Sequence, residues 1–409
     1  MERTTCCIVG GGPAGMVLGL LLARSGVEVT VLEKHGDFLR DFRGDTVHPT
    51  TLHLLDDLGL AERFAELPQR RVDRVSLPIG PAGELFTFGD FRELRVKYNY
   101  VALVPQWDFL DMLADAGKQE PTFQLRMNTE ATELIRERGR VNGVRYRTAD
   151  GATGEIRATI TVACDGRKSF VRTLPELGLR DFPTPMDVRW FRVPRRPDDP
   201  AGAIGLIRDR TFLALLDRGD YFQIASIIAK GTDQIGRNRP IEEFNETLVR
   251  QLPWLAGRDL VRSWDDVKVL HVTLDRLRRW HVPGLLCIGD AAHAMSPVGG
   301  IGINLAVQDA VAAARCLAEP LREGRLERRH VAAVQRRRWP TTVLLQRMQR
   351  VIHDNVVGPA LRGEIDFGNV AHLPLPLRAV SKLPWLRRIP PYVLAYGAVR
   401  ERPPQSALR

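Results

Sequence analysis

The short apolar strand Cys6-Cys7-Ile8-Val9 runs into Gly10-Gly11-Gly12-Pro13-Ala14-Gly15 and then into the helical run Met16 to Arg24. No other stretch narrows the possible folds as much. The spacing is G-x-G-x-x-G, with Gly10, Gly12 and Gly15 in the three places. Gly10 permits a tight turn, Gly12 lets backbone reach a pyrophosphate, and Gly15 lets the helix lie close on the strand. A second strand, Val27 to Leu32, ends in Glu33, about 20 residues beyond the glycines, where a carboxylate can bind a ribose 2′-OH. Strand, helix and terminal acid in register predict a βαβ unit for an adenosine whose ribose lacks a 2′-phosphate.

A second constellation lies far along the chain. The apolar run Leu285 to Ile288 reads as a buried strand, and it is followed by Gly289-Asp290-Ala291-Ala292-His293 and then Pro297-Val298-Gly299-Gly300-Ile301-Gly302-Ile303-Asn304. Asp290 sits at a strand end, where it can accept hydrogen bonds from polyol hydroxyls. Pro297, Gly299, Gly300 and Gly302 let backbone approach a flat ligand. A helix starting near Gly302, continuing through Leu305 to Leu317, points free N–H groups and its positive dipole end at that ligand. Such a site suits a ligand that becomes anionic, such as a reduced flavin.

These features, with two more, resemble the class A flavoprotein monooxygenases, the para-hydroxybenzoate hydroxylase family. The added signatures are Arg43 followed by Pro49 to Leu60, and Cys164-Asp165-Gly166-Arg167-Lys168-Ser169-Phe170-Val171-Arg172. The resemblance implies noncovalent FAD, with NADH or NADPH as a transient co-substrate. It implies that Asp290 holds the ribityl chain and that Pro297 lies beside the isoalloxazine ring. The N–H groups of Gly302 and Ile303 would face the pyrimidine edge, with Asn304 capping or supporting that helix start. Arg43 and Gln106 would contact the pyrophosphate and ribityl regions, and Ala131 the adenine. Asp165 would serve both FAD and NAD(P)H. Pro13, Ala14, Lys34, Gly289 and Gly300 complete the expected cofactor-binding set. Ile301 departs from the family, where many relatives carry Gln.

The implied chemistry is the cofactor's own: NAD(P)H reduces FAD, a flavin C4a-hydroperoxide forms with O2, and one oxygen passes to an electron-rich substrate. Pro297, Gly302 and Ile303 therefore count as catalytic only as the flavin's surroundings, and no acid or base is assigned. His293 is expected to hydrogen-bond structurally rather than to transfer protons. The absence of a second G-x-G-x-x-G argues against a separate nicotinamide domain.

The expected fold is α/β. A Rossmann-like FAD-binding domain (1–70, 101–180 and 277–320) is interrupted by a β-sheet substrate domain (71–100 and 181–276). A helical region, 321–409, follows. In the first of these domains Pro49 to Leu67 reads as one helix, and in the second Lys268 to Leu274 reads as one strand. For an apolar, aromatic or polyketide-like substrate the candidates are Trp190, Arg192 and Tyr221, with Phe191, Phe222, His271 and Tyr98 also considered. Two alternatives use the same cofactor domain: an FAD-dependent reductase or saturase of isoprenoids, and a flavin-dependent halogenase. The second is opposed by the lack of its Trp-x-Trp-x-Ile-Pro segment.

The formal net charge of +10 arises from 59 Lys and Arg, only seven of them Lys, in short scattered clusters rather than a nucleic-acid stripe. The five cysteines lack metal-ligand spacing, and Cys6-Cys7 lacks redox-motif geometry. No metal is expected. No signal segment or uninterrupted spanning helix is apparent, which predicts a cytoplasmic protein. The basic, apolar segment Trp385 to Pro390 is expected to pack on the protein body rather than to touch a membrane.

Overall fold

The computed structural model describes residues 2–39, 46–79, 84–367, 389–396 and 400–408. Ten helices are numbered here: α1 (Pro13–Arg24), α2 (Pro49–Asp57), α3 (Ala61–Ala65), α4 (Gln106–Lys118), α5 (Asp233–Arg237), α6 (Ile241–Gln251), α7 (Gly302–Arg322), α8 (Arg328–Ile352), α9 (Gly358–Arg362) and α10 (Ile389–Tyr396).

The first sheet has Glu2–Val9 at its centre. It pairs in parallel with Val29–Leu32 on one side and Thr153–Ala163 on the other. Phe123–Arg126 and Leu285–Cys287 extend these pairs in parallel. The carboxyl ends of five parallel strands therefore meet at one edge, where open α/β sheets bind ligands. Helix α1 explains the centre. Every residue from Ala14 to Ala23 is buried, as a helix wedged between the sheet, α4 and α7 requires. At Gly15 a Cβ would lie 1.9 Å from the Gly10 carbonyl oxygen, so only glycine allows this helix–strand approach.

Cys6 and Cys7 are successive strand residues and point to opposite faces. Cys6 enters the core under α1, and Cys7 the cluster with Val144 and Ile156. Burial pushes the Cys7 thiol up to about 12. The two act as small apolar residues.

The second sheet has seven strands, in the order Lys268–Leu270, Met186–Pro194, Tyr221–Ala229, Thr211–Asp217, Ala203–Arg208, Arg74–Ile79 and Glu84–Asp90. Its opposite faces bury different things. Phe191, Val193, Leu213, Leu215, Phe222 and Ile224 pack on α6. Val188, Trp190, Phe212, Ala214, Ala225 and Ile227 share a cluster with Val298 of the glycine-rich segment and with Ile352 and Val357.

Two sequence-derived elements need correction. The helix expected over Pro49 to Leu67 stops at Asp57 and restarts at Ala61. Gly59 takes φ +69°, and the Leu60 N–H bonds back to the Leu55 carbonyl, a left-handed cap that ends a helix. The strand expected over Lys268 to Leu274 is two strands in different sheets, because side chains capture the backbone between them. Asp187 accepts the Val272 N–H at 2.9 Å, while Lys230 and Thr184 donate to the Val272 carbonyl at 2.7 and 3.1 Å.

Helix α7 begins at Gly302 as expected but runs on to Arg322. With its preceding turn it is long and apolar enough to cross a membrane, with mean hydropathy 1.3, yet 78% of that window is buried inside the protein, against α1 and α8. Of the basic, apolar segment near the C-terminus, Trp385 to Arg388 lie outside the described residues. Pro391 and Ala395 of α10 are buried.

Candidate cofactor and substrate site

At the carboxyl edge of the first sheet, Gly10 takes φ +103°, and a Cβ there would sit 2.6 Å from the Cys164 carbonyl oxygen. The turn therefore lies directly against the chain leading into Asp165. Gly12, which precedes α1, would meet nothing within 4 Å in place of its hydrogen, so space lies open in front of this helix N-terminus. Glu33 is buried, and its Oε2 accepts the Gly11 N–H at 2.9 Å while Oε1 accepts the His35 N–H at 3.1 Å. Lys34 is exposed beside it. Ala131 is paired with Tyr146 in the neighbouring antiparallel strands and is buried together with Leu32, the residue before Glu33. Gln106 opens α4 and is half-buried. Arg43 lies outside the described residues.

Asp165 has an oxygen, Oδ1, that is buried without a hydrogen-bond partner among the described residues, and burial pushes its carboxyl up to about 6. A carboxyl held this way suits a ligand hydroxyl or amide that donates to it. Two residues on, Arg167 Nε donates to Asp290 Oδ2 at 3.0 Å, which joins the Asp165 and Asp290 segments. Arg167 is the site-lining residue that sequence reasoning missed. Its position within the Asp-Gly segment was visible, but its partner was not.

Gly289 takes φ +58°, and a Cβ there would press on Ala306 and Ala14, where α7 and α1 converge. Its N–H donates to Asp309 Oδ2 at 3.0 Å; His293 Nε2 lies 2.6 Å from the same oxygen, and Arg338 Nε lies 2.7 Å from Oδ1. Burial disfavours the Asp309 charge, but His293 and Arg338 outweigh it and hold the carboxyl below the usual carboxylate range. His293, buried against Trp280 at 5.0 Å between ring centroids, thus holds the Gly-Asp turn. The expected structural role is the one its contacts describe.

Beyond Pro297 the chain arches through Gly299 (φ +84°) and Gly300 (φ +62°). The Gly300 carbonyl accepts Thr46 Oγ1 at 2.8 Å and lies 3.0 Å from His48 Nε2. Gly302 and Ile303 form the half-exposed first turn of α7, and nothing stands within 4 Å of where a Gly302 Cβ would be. Asn304 does not cap this helix. It is 3% exposed, and its Oδ1 accepts from the hydroxyls of Thr50 and Thr51, while its Nδ2 donates to Ala395 of α10 at 3.3 Å. It ties α7 to α2 and α10. Ile301 is buried with Met295, Leu305 and Leu345, an apolar anchor where a Gln would need a polar partner.

Strand parity sorts the substrate candidates. Trp190 faces the glycine-rich arch, in one cluster with Val298, and its indole Nε1 is buried without a hydrogen-bond partner among the described residues. Arg192, on the same face nearer the strand's end, is exposed and lays its guanidinium over the Tyr221 ring at 4.6 Å. Phe191 and Phe222 point the other way into the α6 core, against Phe244 and Trp254, and so are corrected to structural residues. His271 is exposed, 3.6 Å from Asp187. Tyr98 faces His53 and lines a separate cavity of about 300 Å³ with Leu52, Phe64, Arg71 and Tyr100. It does not join the sheet face.

The arrangement fits FAD: open backbone at Gly12 and Gly302, a partnerless carboxyl oxygen at Asp165, and an accessible carboxylate at Asp290. Among the described residues no cluster of His, Cys, Asp or Glu could hold a metal.

The chain matches the family described as "FAD binding domain" over residues 3–347. It is 35% identical over 351 residues to 6-methylpretetramide 4-monooxygenase of Streptomyces rimosus, covering 85% of this chain and 83% of that one. The structure of OxyS anhydrotetracycline hydroxylase from Streptomyces rimosus superposes with a TM-score of 0.73 at 25% identity, over 98% of this chain and 77% of that one. The flavin-dependent brominase Bmp2 shares the fold, with a TM-score of 0.78 at 16% identity over 98% and 95% of the two chains. Several other curated relatives are longer, and this chain spans about 60% of their length. Glycine turns, strand-end acids and family match agree: the chain belongs to the FAD binding domain family and is an FAD-dependent monooxygenase of the class A aromatic and polyketide type.

Proposed function

We propose that this enzyme hydroxylates or epoxidises an apolar aromatic substrate of polyketide type, held between the glycine-rich arch and the inner face of the second sheet. The observation that carries this is the shared cluster of Trp190, Phe212, Ala214, Ala225 and Ile227 with Val298. A mostly apolar wall with few polar groups suits a flat, apolar ligand. The relatives named for pretetramide and anhydrotetracycline oxygenation support that substrate class.

FAD, when bound, supplies hydride acceptance from NAD(P)H and activation of O2. The protein's part is to bind, orient and keep water out. Gly10, Gly12, Pro13, Ala14 and Gly15 receive the pyrophosphate at the start of α1, and Glu33, Lys34 and Ala131 surround the adenosine end. Asp165 and Asp290 take hydrogen bonds from the sugar and ribityl hydroxyls, with Arg167 holding Asp290 in place. Pro297 would lie beside the flavin, and the first N–H groups of α7, at Gly302 and Ile303, would stabilise negative charge developing on it. On the substrate side, Trp190 Nε1–H is the donor that reads a substrate oxygen, and Arg192 with Tyr221 closes the outer end of the wall. The nicotinamide visits without a nucleotide fold of its own. The FAD-binding part comprises 1–70, 101–180 and 277–320, and the second sheet supplies the substrate wall. Five free thiols, four of them buried, suit a reducing cytoplasm.

The test is a panel of aromatic polyketides and phenols, followed by NAD(P)H consumption and by mass detection with ¹⁸O₂. The expected product is heavier by one labelled oxygen. A saturated product made without O2 would replace the hydroxylase with the reductase, and a product whose new oxygen comes from water would overturn both.

A further inference from the structure

The C-terminal half of α8 makes contacts that the cofactor motifs do not account for. Gln349 and His353 stand one helical turn apart, on one face, and both clasp the short segment Ser296–Val298 that flanks Pro297. Gln349 Nε2 donates to the carbonyls of Ser296 and Val298 at 2.8 and 2.9 Å, and its Oε1 accepts the Ser296 N–H at 3.1 Å. His353 Nε2 lies 2.8 Å from Ser296 Oγ, which also accepts the Val298 N–H at 3.3 Å. Ser296, Gln349 and His353 are each 1% exposed or less. At His353 the helix widens into a single π-turn, His353–Val357, of the kind that recurs at functional sites. Val357 of that turn packs in the cluster that holds Trp190 and Val298. Both clasping residues fall just beyond residue 347, where the family match ends.

We propose that Gln349 and His353 are positioning residues: through Ser296 they set the height of the Pro297 arch, and with it the first turn of α7, against the flavin ring. This rests on the ring placement proposed above. The physical reason is the buried clasp itself. Three backbone polar groups and one hydroxyl of the arch are satisfied by these two side chains. Removing a partner leaves buried groups unmet, and the arch must shift to recover hydrogen bonds. A shift there moves the α7 N–H groups relative to any anionic ring. Val298 of this segment also packs with Ile352 of α8 and with Trp190 of the substrate wall, so a single displacement is felt by both flavin and substrate.

The test uses FAD-loaded protein and needs no substrate. Ser296→Ala and His353→Leu each remove the Ser–His contact, and His353→Gln keeps a polar group in its place. The flavin reduction equilibrium is read against a reference dye, alongside the melting temperature. The expected result is that Ser296→Ala and His353→Leu make reduction harder by about tenfold, about 30 mV for a two-electron couple, while His353→Gln recovers most of the difference. A purely structural clasp would lower the melting temperature and leave the equilibrium unchanged, and that outcome overturns the proposal. Should His353→Leu fail to accumulate, Ser296→Ala decides alone, since it removes a single oxygen. Gly302→Pro separates the two levels. If it alters the equilibrium while the clasp variants do not, the ring placement stands and the clasp role falls. If neither does, the ring does not lie on this turn and both fall.

Discussion

The carboxyl edge of the first sheet and the inner face of the second, proposed above to hold a nucleotide and an apolar ligand, are built by different rules. At the first, backbone geometry selects the residue. Gly10 at φ +103° against Cys164, and Gly15 against the Gly10 carbonyl, admit no side chain. At the second, side-chain direction is what matters. Trp190 and Phe191 are both large aromatics on one strand, yet one faces the glycine-rich arch and its neighbour is sealed under α6. A site made of backbone constraints tolerates almost no substitution. A site made of strand parity tolerates many, provided the inward set stays apolar, which is how one fold can accept different substrates.

The contrast is sharpest at the two most damaging changes. Gly10→Ala forces a Cβ into the Cys164 carbonyl in a left-handed conformation and should cost on the order of 3 kcal/mol, with FAD retention lost at the same time. Phe191→Ala empties a core position and should cost about 3–5 kcal/mol while leaving FAD affinity intact. Chemical denaturation and FAD titration of both variants check this. Equal loss of FAD affinity in the two would erase the distinction between cofactor edge and sheet core.

Asp165 tests whether the edge is strained for function. Its folded value of about 6 lies above the ordinary 3.8, so the folded protein holds the proton more tightly than the unfolded chain does. Stability contributed by the protonated form is present below about pH 4 and is lost as pH rises to about 6. Asp165→Asn removes that loss. The FAD-free variant should be up to about 3 kcal/mol more stable at pH 7–8 and no more stable below pH 4, while binding FAD more weakly. Melting curves across pH measure it, and a variant stabilised equally at all pH values would contradict the burial argument.

Asp290→Ala comes next. Loss of an ionised acceptor for ribityl hydroxyls should weaken FAD binding by about 1.5–3 kcal/mol, roughly ten- to 150-fold. The freed Arg167 offsets little, because its partner is half-exposed. Unchanged affinity in this variant would move the cofactor off the Gly-Asp turn.

How much of this was legible beforehand follows the same divide. The βαβ unit, the strands Arg140–Thr148 and Thr153–Ala163, and the start of α7 at Gly302 could be read directly, because glycine spacing and alternation carry them. The Asp290–Arg167 pair, the Asn304 tether and the Gln349–His353 clasp could not. Each joins residues 50 or more positions apart through side chains that look unremarkable locally. The Leu270–Leu274 break was hidden for a similar reason, since Asp187 and Lys230 reach it from other strands. Among the substrate candidates, parity could have excluded Phe191 once Trp190 was chosen, but not which face looks at the arch.

The smallest effect bears most closely on that face. Trp190 Nε1–H is buried and has no hydrogen-bond partner among the described residues, although a buried donor normally finds one. If a bound substrate oxygen is its partner, Trp190→Phe removes one hydrogen bond while keeping an aromatic wall. The expected loss is about 0.5–1.5 kcal/mol, roughly two- to twelvefold in KM, for substrates that carry a carbonyl or hydroxyl at the matching position. Substrates lacking that oxygen should be unaffected, and the melting temperature should stay or rise, because an unsatisfied donor has been deleted. Phe222→Leu on the opposite face supplies the contrast: lower stability, with the same ranking of substrates. Steady-state kinetics on paired substrates with and without the oxygen make the measurement. If Trp190→Phe weakens both members of each pair alike, the indole serves only as wall, and polar recognition has to be sought elsewhere, at Arg192 or at Gln223, which Arg218 already holds.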